Sequence, residues 1–331
     1  MERRRLGGTD LELSVIGLGT WVFGGRWGGA EDEESLAACH AALDAGINWI
    51  DTADIYGQHR AERIVGRAIR ERRDEVIVAT KAGVAWETEP AFRIWREASA
   101  EYIKAAVDRS LEALGVEAID LYQVHWPVRS VPAEETMGAM LELKEAGKIR
   151  AIGVSNYELP DLEAAAAAGP LDSFQAGYHI LRRDIDEAEL PWCRAHDVGV
   201  LAYGPLAHGL FTGKMSEQTS FGANDWRGQS EFFADDAWPE RVAVARELAD
   251  VAEQSGRPGG LAELAVMWTL RDPGVTSAIV GSRDRDQAVA NARLAGRPLS
   301  EDEAGAIEAV LARHPTASRH YGHGEPPARD D

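Results

Sequence analysis

Cysteine is scarce in this chain, with only Cys39 and Cys193 among 331 residues. Both fall within predicted helices and far apart in sequence, so a disulfide framework has no support and a reducing cytoplasm fits. Long apolar runs are missing too. None approaches a membrane span, and the N-terminus, Met1-Glu2-Arg3-Arg4-Arg5, lacks the apolar core of a signal peptide. The expectation is a protein that stays where it is made. Positive charge is also short: 35 Lys and Arg against 55 Asp and Glu leave a formal net charge of −20. Nucleic acid and anionic membrane both demand a basic footprint, so neither is an expected partner. Nothing in the sequence sets an oligomeric state.

What is present is an ordinary globular composition, 45% hydrophobic and 27% charged, over a length that one large α/β barrel fills. Short apolar runs near 15–19, 48–51, 76–80, 119–124, 149–154, 173–176, 199–203 and 277–280 read as eight strands. Helical patterns follow near 62–71, 99–114, 133–146, 158–168, 186–196, 284–295 and 301–313, with two more after a long loop that carries Trp226 and Trp238. An earlier helix starts at Asp32, read as its cap, with Leu36, Cys39, His40 and Leu43 on one face and Gly46 stopping it. The best formed, Ser99 to Leu114, puts Ile103, Val107, Leu111 and Leu114 on one stripe. Eight strands alternating with helices predict a (β/α)8 TIM barrel of class α/β, one domain over 1–313 with extra C-terminal helices and a flexible tail over 314–331. The segment Arg4 to Leu13 reads as a hairpin.

Three consecutive strands end on residues that do acid–base chemistry. Asn48-Trp49-Ile50 runs into Asp51 with Tyr56 five residues later, Val76 to Thr80 ends on Lys81, and Ile119 to Val124 ends on His125. Strand exits converge on one face of a parallel barrel, so the four side chains can meet. A phenol holds its proton at neutral pH and donates it only when its anion is stabilised. Lys81 is expected to lower the pKa of Tyr56, Asp51 to hold Lys81 charged, and His125 to orient the substrate oxygen.

Asp51-Thr52-Ala53-Asp54-Ile55-Tyr56, then Lys81, then His125-Trp126-Pro127, resembles the catalytic tetrad of the aldo-keto reductases. The resemblance runs from about Arg5 to Ala312 and is nearest the single-barrel bacterial branch of inositol-operon and general-stress reductases. It implies a β-hairpin plug at the barrel's bottom and a hydride from NADPH, with NADH possible, since the tetrad supplies a proton and no electrons. It further implies that Gly19, Thr20, Trp21 and Asp51 border the dinucleotide, that Ser155, Asn156 and Gln175 bind the nicotinamide amide, and that Tyr203 stacks on the ring. Gly204, Pro205, Leu206, Ala207, Gly209, Leu210 and Lys214 match the loop that wraps the pyrophosphate, and Gly281, Ser282, Arg283, Gln287 and Asn291 match the adenosine end. There Ser282, a helix N-terminus and Arg283, with Arg285 second, are expected to meet a 2′-phosphate. The chain departs from the family pattern at Ala290, Gly204, Asp284 and Asp286. A G-x-G-x-x-G fingerprint is absent, as expected for a dinucleotide held on a barrel.

The implied function is the reversible reduction of an aldehyde or ketone, a sugar, polyol-derived or aromatic carbonyl, with Tyr56 as general acid assisted by Lys81, Asp51 and His125. The alternative is an NADPH-binding regulatory or accessory protein with little turnover, and a third reading is a Schiff-base lyase using Lys81. Trp21, Trp86 and Trp126 are expected to wall the substrate pocket. Loops 22–31, 82–98, 127–132 and 215–238 are expected to set specificity, and Arg93, Arg96 and Arg129 are read first as solvated surface arginines and second as contacts for an anionic substrate. His314, His320 and His323 match no metal-site spacing, so no metal is expected.

Overall fold

The structure is a computed structural model that describes residues 1–25, 31–89, 91–222, 225–234, 236–319 and 326–328. His320, His323 and parts of loops 22–31, 82–98 and 215–238 lie outside the described residues.

In chain order, the antiparallel strands β1 (Arg3–Arg5) and β2 (Glu12–Ser14) precede β3 (Ile16–Gly19), α1 (Asp32–Asp44), β4 (Trp49–Asp51), α2 (Arg60–Ile69) and β5 (Ile77–Ala82). A second antiparallel pair, β6 (Val84–Glu87) and β7 (Arg93–Arg96), interrupts the alternation before α3 (Ala100–Leu114). Then come β8 (Ile119–Val124), α4 (Ala133–Glu145), β9 (Ile149–Ser155), α5 (Leu159–Ala168), β10 (Ser173–Gly177), α6 (Glu189–Ala195) and β11 (Gly199–Tyr203). After a loop with the short α7 (Glu231–Ala234), the chain forms α8 (Trp238–Gln254), α9 (Gly260–Thr269), β12 (Val275–Gly281), α10 (Arg285–Ala292) and α11 (Glu301–Arg313). The eight strands β3, β4, β5, β8, β9, β10, β11 and β12 close into a barrel, all neighbours parallel. This is the (β/α)8 TIM barrel that the alternation predicts. Among the described residues no helix is long and apolar enough to cross a membrane.

Strand side chains alternate between faces, and that period sets the site. Trp49, Ala79, Leu121, Ala151, Leu201 and Ile279 share one buried cluster with Leu6, Leu11 and Leu13 of the hairpin segment. The hairpin thus plugs the barrel at its lower end. Two residues further along the same strands, and so on the same inner face, stand Asp51, Lys81, Gln123, Gly153, Tyr203 and Gly281. The polar site is therefore the next layer up, on a packed apolar floor. Trp49 fills that floor by lying against Gly17, where an added Cβ would come within 2.1 Å of the indole. Its ring nitrogen donates to the Ser14 carbonyl and the Ser277 hydroxyl, both at 3.1 Å. The opposite strand faces pack on the helices, among them α3, where the Ser99 hydroxyl accepts from the Tyr102 N–H and Gly115 turns the chain at φ 65°.

Three local expectations are corrected. Asp32 is the first helical residue of α1 and caps nothing, because its carboxylate is taken by Arg60 at 2.7 Å; Glu31 stands at the cap without a side-chain bond. His40 is exposed, and Ser35, Ala38 and Ala42 share the buried face with Cys39. Of the tail, residues 314–319 are packed: Arg241, fully buried, donates to the carbonyls of Ala317 and Arg319, and His314 meets Glu247 at 2.7 Å. Further on, the Pro327 carbonyl accepts from the Arg96 N–H at 2.9 Å and so meets β7.

Candidate active site

The strand register brings together residues far apart in sequence. Gly19 lies beside Asp51, Asp51 beside Ala79, Lys81 beside Gln123, and Ser155 beside Gln175. Lys81 is fully buried, and its Nζ donates to both Asp51 oxygens at 2.8 Å and to the Thr52 carbonyl at 2.9 Å. The ammonium stands 5.4 Å from the Tyr56 ring centroid, and the Tyr56 and His125 rings are edge-on at 5.9 Å. All four residues of the proposed tetrad thus meet at the C-terminal mouth. Gln175 adds a tie the sequence does not suggest, donating its amide to Asp51 at 2.8 Å.

Burial pulls the Lys81 ammonium below its ordinary value, and the Asp51 charge opposes that pull. Burial, with the neighbouring Asp51, Tyr203 and Asp54, pushes the Tyr56 phenol well up. The hydrogen bonds of Lys81 itself go to Asp51 and Thr52, and burial dominates the state of the Tyr56 phenol. Burial and the Lys81 charge hold His125 well below its usual range, so the imidazole is neutral at neutral pH.

The tetrad opens into a cavity of about 2280 Å³, well beyond the roughly 300–1,000 Å³ of ordinary small-molecule pockets. It runs from Tyr56 and His125 past Tyr203 to Arg283 and Asn291. Of the residues expected at the cofactor, Gly19, Trp21, Asp51, Ser155, Asn156, Gln175, Tyr203, Gly204, Pro205, Leu206, Gly209, Lys214, Gly281, Arg283, Gln287 and Asn291 border it. Thr20, Ala207, Leu210 and Ser282 do not; they are buried behind the wall. Gly204 at φ 70° and Gly209 at φ 101° take left-handed backbone there and leave the wall without side chains. An extended anionic ligand fits this surface, with Lys214, Arg227 and Arg283 as cations along it.

At the tetrad end the Tyr203 hydroxyl donates to Asn156 at 2.8 Å, while Asn156 donates to the His125 carbonyl and the Ser155 hydroxyl. Arg182, which sequence reasoning missed, sits 5.7 Å from the Tyr203 ring centroid. At the far end Ser282 accepts from Asn291 at 3.0 Å, and Asp284 caps α10 by accepting from the Gln287 N–H. Ser282 and the helix N-terminus are therefore engaged within the fold, and Arg283 is the group that faces the cavity. Across from it, burial raises the Asp225 carboxyl, but the Arg227 bonds and the Arg227 and Arg283 charges outweigh burial and hold it low.

Beside the tetrad the cavity is also walled by Trp21, Ile55, Val84, Phe92, Ile94 and Trp126. Trp86 stands apart, edge-on to His59 at 5.4 Å and outside the cavity lining. Arg129 is held by Glu158 and Asp161, Arg96 donates to the Pro127 carbonyl, and neither they nor Arg93 border the cavity. The cavity gives none of them a contact to an anionic substrate, in keeping with the reading as surface arginines. Trp226 from the long loop lies 4.9 Å from Trp21, ring to ring, and bridges the mouth. Phe92, Ile94 and Trp226 were legible only as members of specificity loops, since no local pattern marks them. Among the described residues no group of His, Cys, Asp or Glu is arranged to hold a metal ion.

A proton donor set at one end of a long cavity with cations along it is the arrangement of a barrel oxidoreductase. The chain belongs to the aldo/keto reductase family, whose model matches residues 15–312. It is 39% identical over 315 residues to aldo-keto reductase YhdN of Bacillus subtilis, covering 94% of each chain. It is 33% identical to the NADH-specific methylglyoxal reductase of Escherichia coli over 92% of this chain and 96% of that one. Among solved structures it is similar to the glycerol dehydrogenase AKR11B4 of Gluconobacter oxydans, with TM-score 0.87, 37% identity and coverage of 95% and 96%. Family members use NAD(P)H and act on small-molecule carbonyl compounds.

Proposed function

We propose that the protein reduces an uncharged aldehyde or ketone to the alcohol, reversibly, with NADPH as the preferred hydride source and NADH accepted. The observation that carries this reading is the fully buried Lys81–Asp51 pair beside Tyr56, at the head of a cavity that reaches Arg283. When bound, the dinucleotide supplies the hydride. Tyr56 holds its proton at working pH and gives it to the substrate oxygen as negative charge develops there. The Lys81 ammonium stabilises the phenolate that remains, and Asp51, fixed by Gln175, keeps that ammonium in place. His125, neutral, orients the substrate oxygen by hydrogen bonding. Tyr203, pinned by Asn156, offers its ring as a flat surface for the nicotinamide, and Ser155, Asn156 and Gln175 meet its amide. Arg283 is the cation for a 2′-phosphate.

The apolar wall supports an aromatic or otherwise apolar carbonyl over a sugar or an anion. Lys81 is buried behind Asp51 and outside the cavity lining, which weighs against Schiff-base chemistry. The buried, free Cys39 and Cys193 fit a cytoplasmic protein. The test is a titration with NADPH and NADH followed by tryptophan fluorescence, with label transfer from deuterated nicotinamide into the alcohol product. Binding with label transfer is expected. Tight binding without transfer for any carbonyl compound would make the protein a dinucleotide-holding accessory subunit, and no binding would end the reading.

A further inference from the structure

At the exits of β10 and β11 the chain folds a cation back toward the cavity. Gly177, the last residue of β10, lies in register with Tyr203 of β11, and the Tyr178 N–H donates to the Tyr203 carbonyl at 3.1 Å. A turn follows at once, closed by two backbone bonds: the His179 N–H to the Arg182 carbonyl at 3.1 Å, and the Arg182 N–H to the His179 carbonyl at 2.8 Å. The turn lays the Arg182 side chain over Gly177, where an added Cβ would come within 2.1 Å of Nη1, so the guanidinium fits there only against a residue without a side chain. Arg182 borders the cavity, with its guanidinium 5.7 Å from the Tyr203 ring centroid and Nη1 donating to the Tyr203 hydroxyl at 3.4 Å. That hydroxyl donates in turn to Asn156. Ring and cation are thus fixed to one another.

The charges around Tyr203 differ in how they are balanced. Lys81 is matched inside the wall by both Asp51 oxygens at 2.8 Å. His179 adds no charge: its Nδ1 accepts from the Leu181 N–H at 3.2 Å, and burial above all, then His208, Arg182 and Arg241, hold the imidazole well below its usual range. Arg182 stays charged at any working pH. Its carboxylate neighbour Asp184 stands 3.4 Å from Nε, and the Asp184 side chain is 48% exposed against 11% for Arg182, so water screens the carboxylate more than the guanidinium. Arg182 therefore contributes a positive field at the Tyr203 ring. A nicotinamide ring is uncharged while it carries its hydride and cationic once it has given it up. We propose that Arg182 sets the redox preference of the site, its charge favouring the reduced dinucleotide over the oxidised one. The inference rests on the reading of Tyr203 as the surface under the nicotinamide. Its consequence is a site biased toward carbonyl reduction and toward release of the oxidised dinucleotide.

The test is the ratio of the Kd for NADP+ to the Kd for NADPH, read by tryptophan fluorescence on the full chain, and it needs no turnover. A unit charge at an effective dielectric of about 20 acts strongly within roughly 10 Å; discounted for Asp184 and for solvent, its effect on that ratio is about threefold or more. Arg182→Gln should lower the ratio by that amount, because the oxidised form gains affinity relative to the reduced one. Arg182→Lys keeps the charge and should stay near wild type. Asp184→Asn, at an exposed position, removes the opposing charge and should raise the ratio. Shifts of opposite sign from two neighbouring side chains are not produced by a merely structural role. Equal weakening of both forms in Arg182→Gln would make Arg182 a phosphate contact or a piece of wall and overturn the proposal. A ratio that moves as far in Arg182→Lys as in Arg182→Gln, or that no variant moves, would overturn it as well, and in each of these cases the dinucleotide reading stands. Wild-type protein that binds neither form would end that reading and the proposal with it.

Discussion

Lys81 and Asp51 form a closed pair inside the barrel, with both carboxylate oxygens 2.8 Å from the ammonium and the lysine fully buried. Removing one partner of a buried pair leaves an uncompensated charge, which costs about 3–5 kcal/mol. Asp51→Asn is therefore expected to lower Tm, and to lower kcat by about 10²-fold or more because Lys81, already pulled down by burial, gives up its proton. Calorimetry and steady-state turnover on the same sample check it. Wild-type values for both would remove the pair from the mechanism.

His125 and His179 are both held well below the usual imidazole range, each chiefly by burial. The unfolded chain takes up their protons near pH 6.5, roughly, while the folded protein does not. Stability is therefore unaffected above that pH and falls as pH drops below it, by up to about 1.4 kcal/mol per pH unit for each histidine. Urea midpoints between about pH 7 and pH 5 should fall less steeply in His125→Gln than in the wild type. Equal slopes would mean that His125 titrates normally in the fold.

Arg283 borders the cavity while Asp284 is turned to the helix cap. A charge-assisted bond to phosphate is worth roughly 1.5–3 kcal/mol, so Arg283→Ala should weaken NADPH by tenfold or more and leave NADH unchanged. Equal losses for both nucleotides would show that the side chain shapes the loop and does not read the 2′-phosphate.

Arg257 is buried between Glu263 at 2.9 Å and Glu303 at 2.7 Å, and Arg297 adds a second contact to Glu303. Burial raises the Glu303 carboxyl, but its bonds from Arg257, the Ser300 N–H and Arg297 outweigh that and hold it far below the usual range. Its contribution is present above the unfolded carboxyl value, about 4.3, and is lost as pH falls toward the folded value. Glu303→Gln is expected to cost about 3 kcal/mol at pH 7, with a gap to wild type that narrows below about pH 4. A pH-independent gap would point to packing alone.

Much of this was legible because the barrel repeats one rule. Each strand ends where its inward face leaves the apolar floor, so Asp51, Lys81, His125 and Tyr203 could be read from the ends of short apolar runs. The β6–β7 pair was missed because Glu87 to Arg93 breaks any alternation, and its pairing depends on the Val84–Arg96 register that no local signal gives. The Asp32 cap failed for a similar reason, since its partner Arg60 is distant in sequence. Trp86 and Ser282 have the right residue type at the right strand exit, yet packing against His59 and Asn291 turns them from the cavity.

The most direct measurement is NADPH oxidation by an aromatic aldehyde in wild type and Tyr56→Phe, with nucleotide Kd determined on the same preparations. Loss of the proton donor should lower kcat by about 10²–10⁴-fold and leave Kd within experimental error of wild type. Wild-type turnover in Tyr56→Phe would contradict Tyr56 as the proton donor and remove the basis for the carbonyl-reductase mechanism.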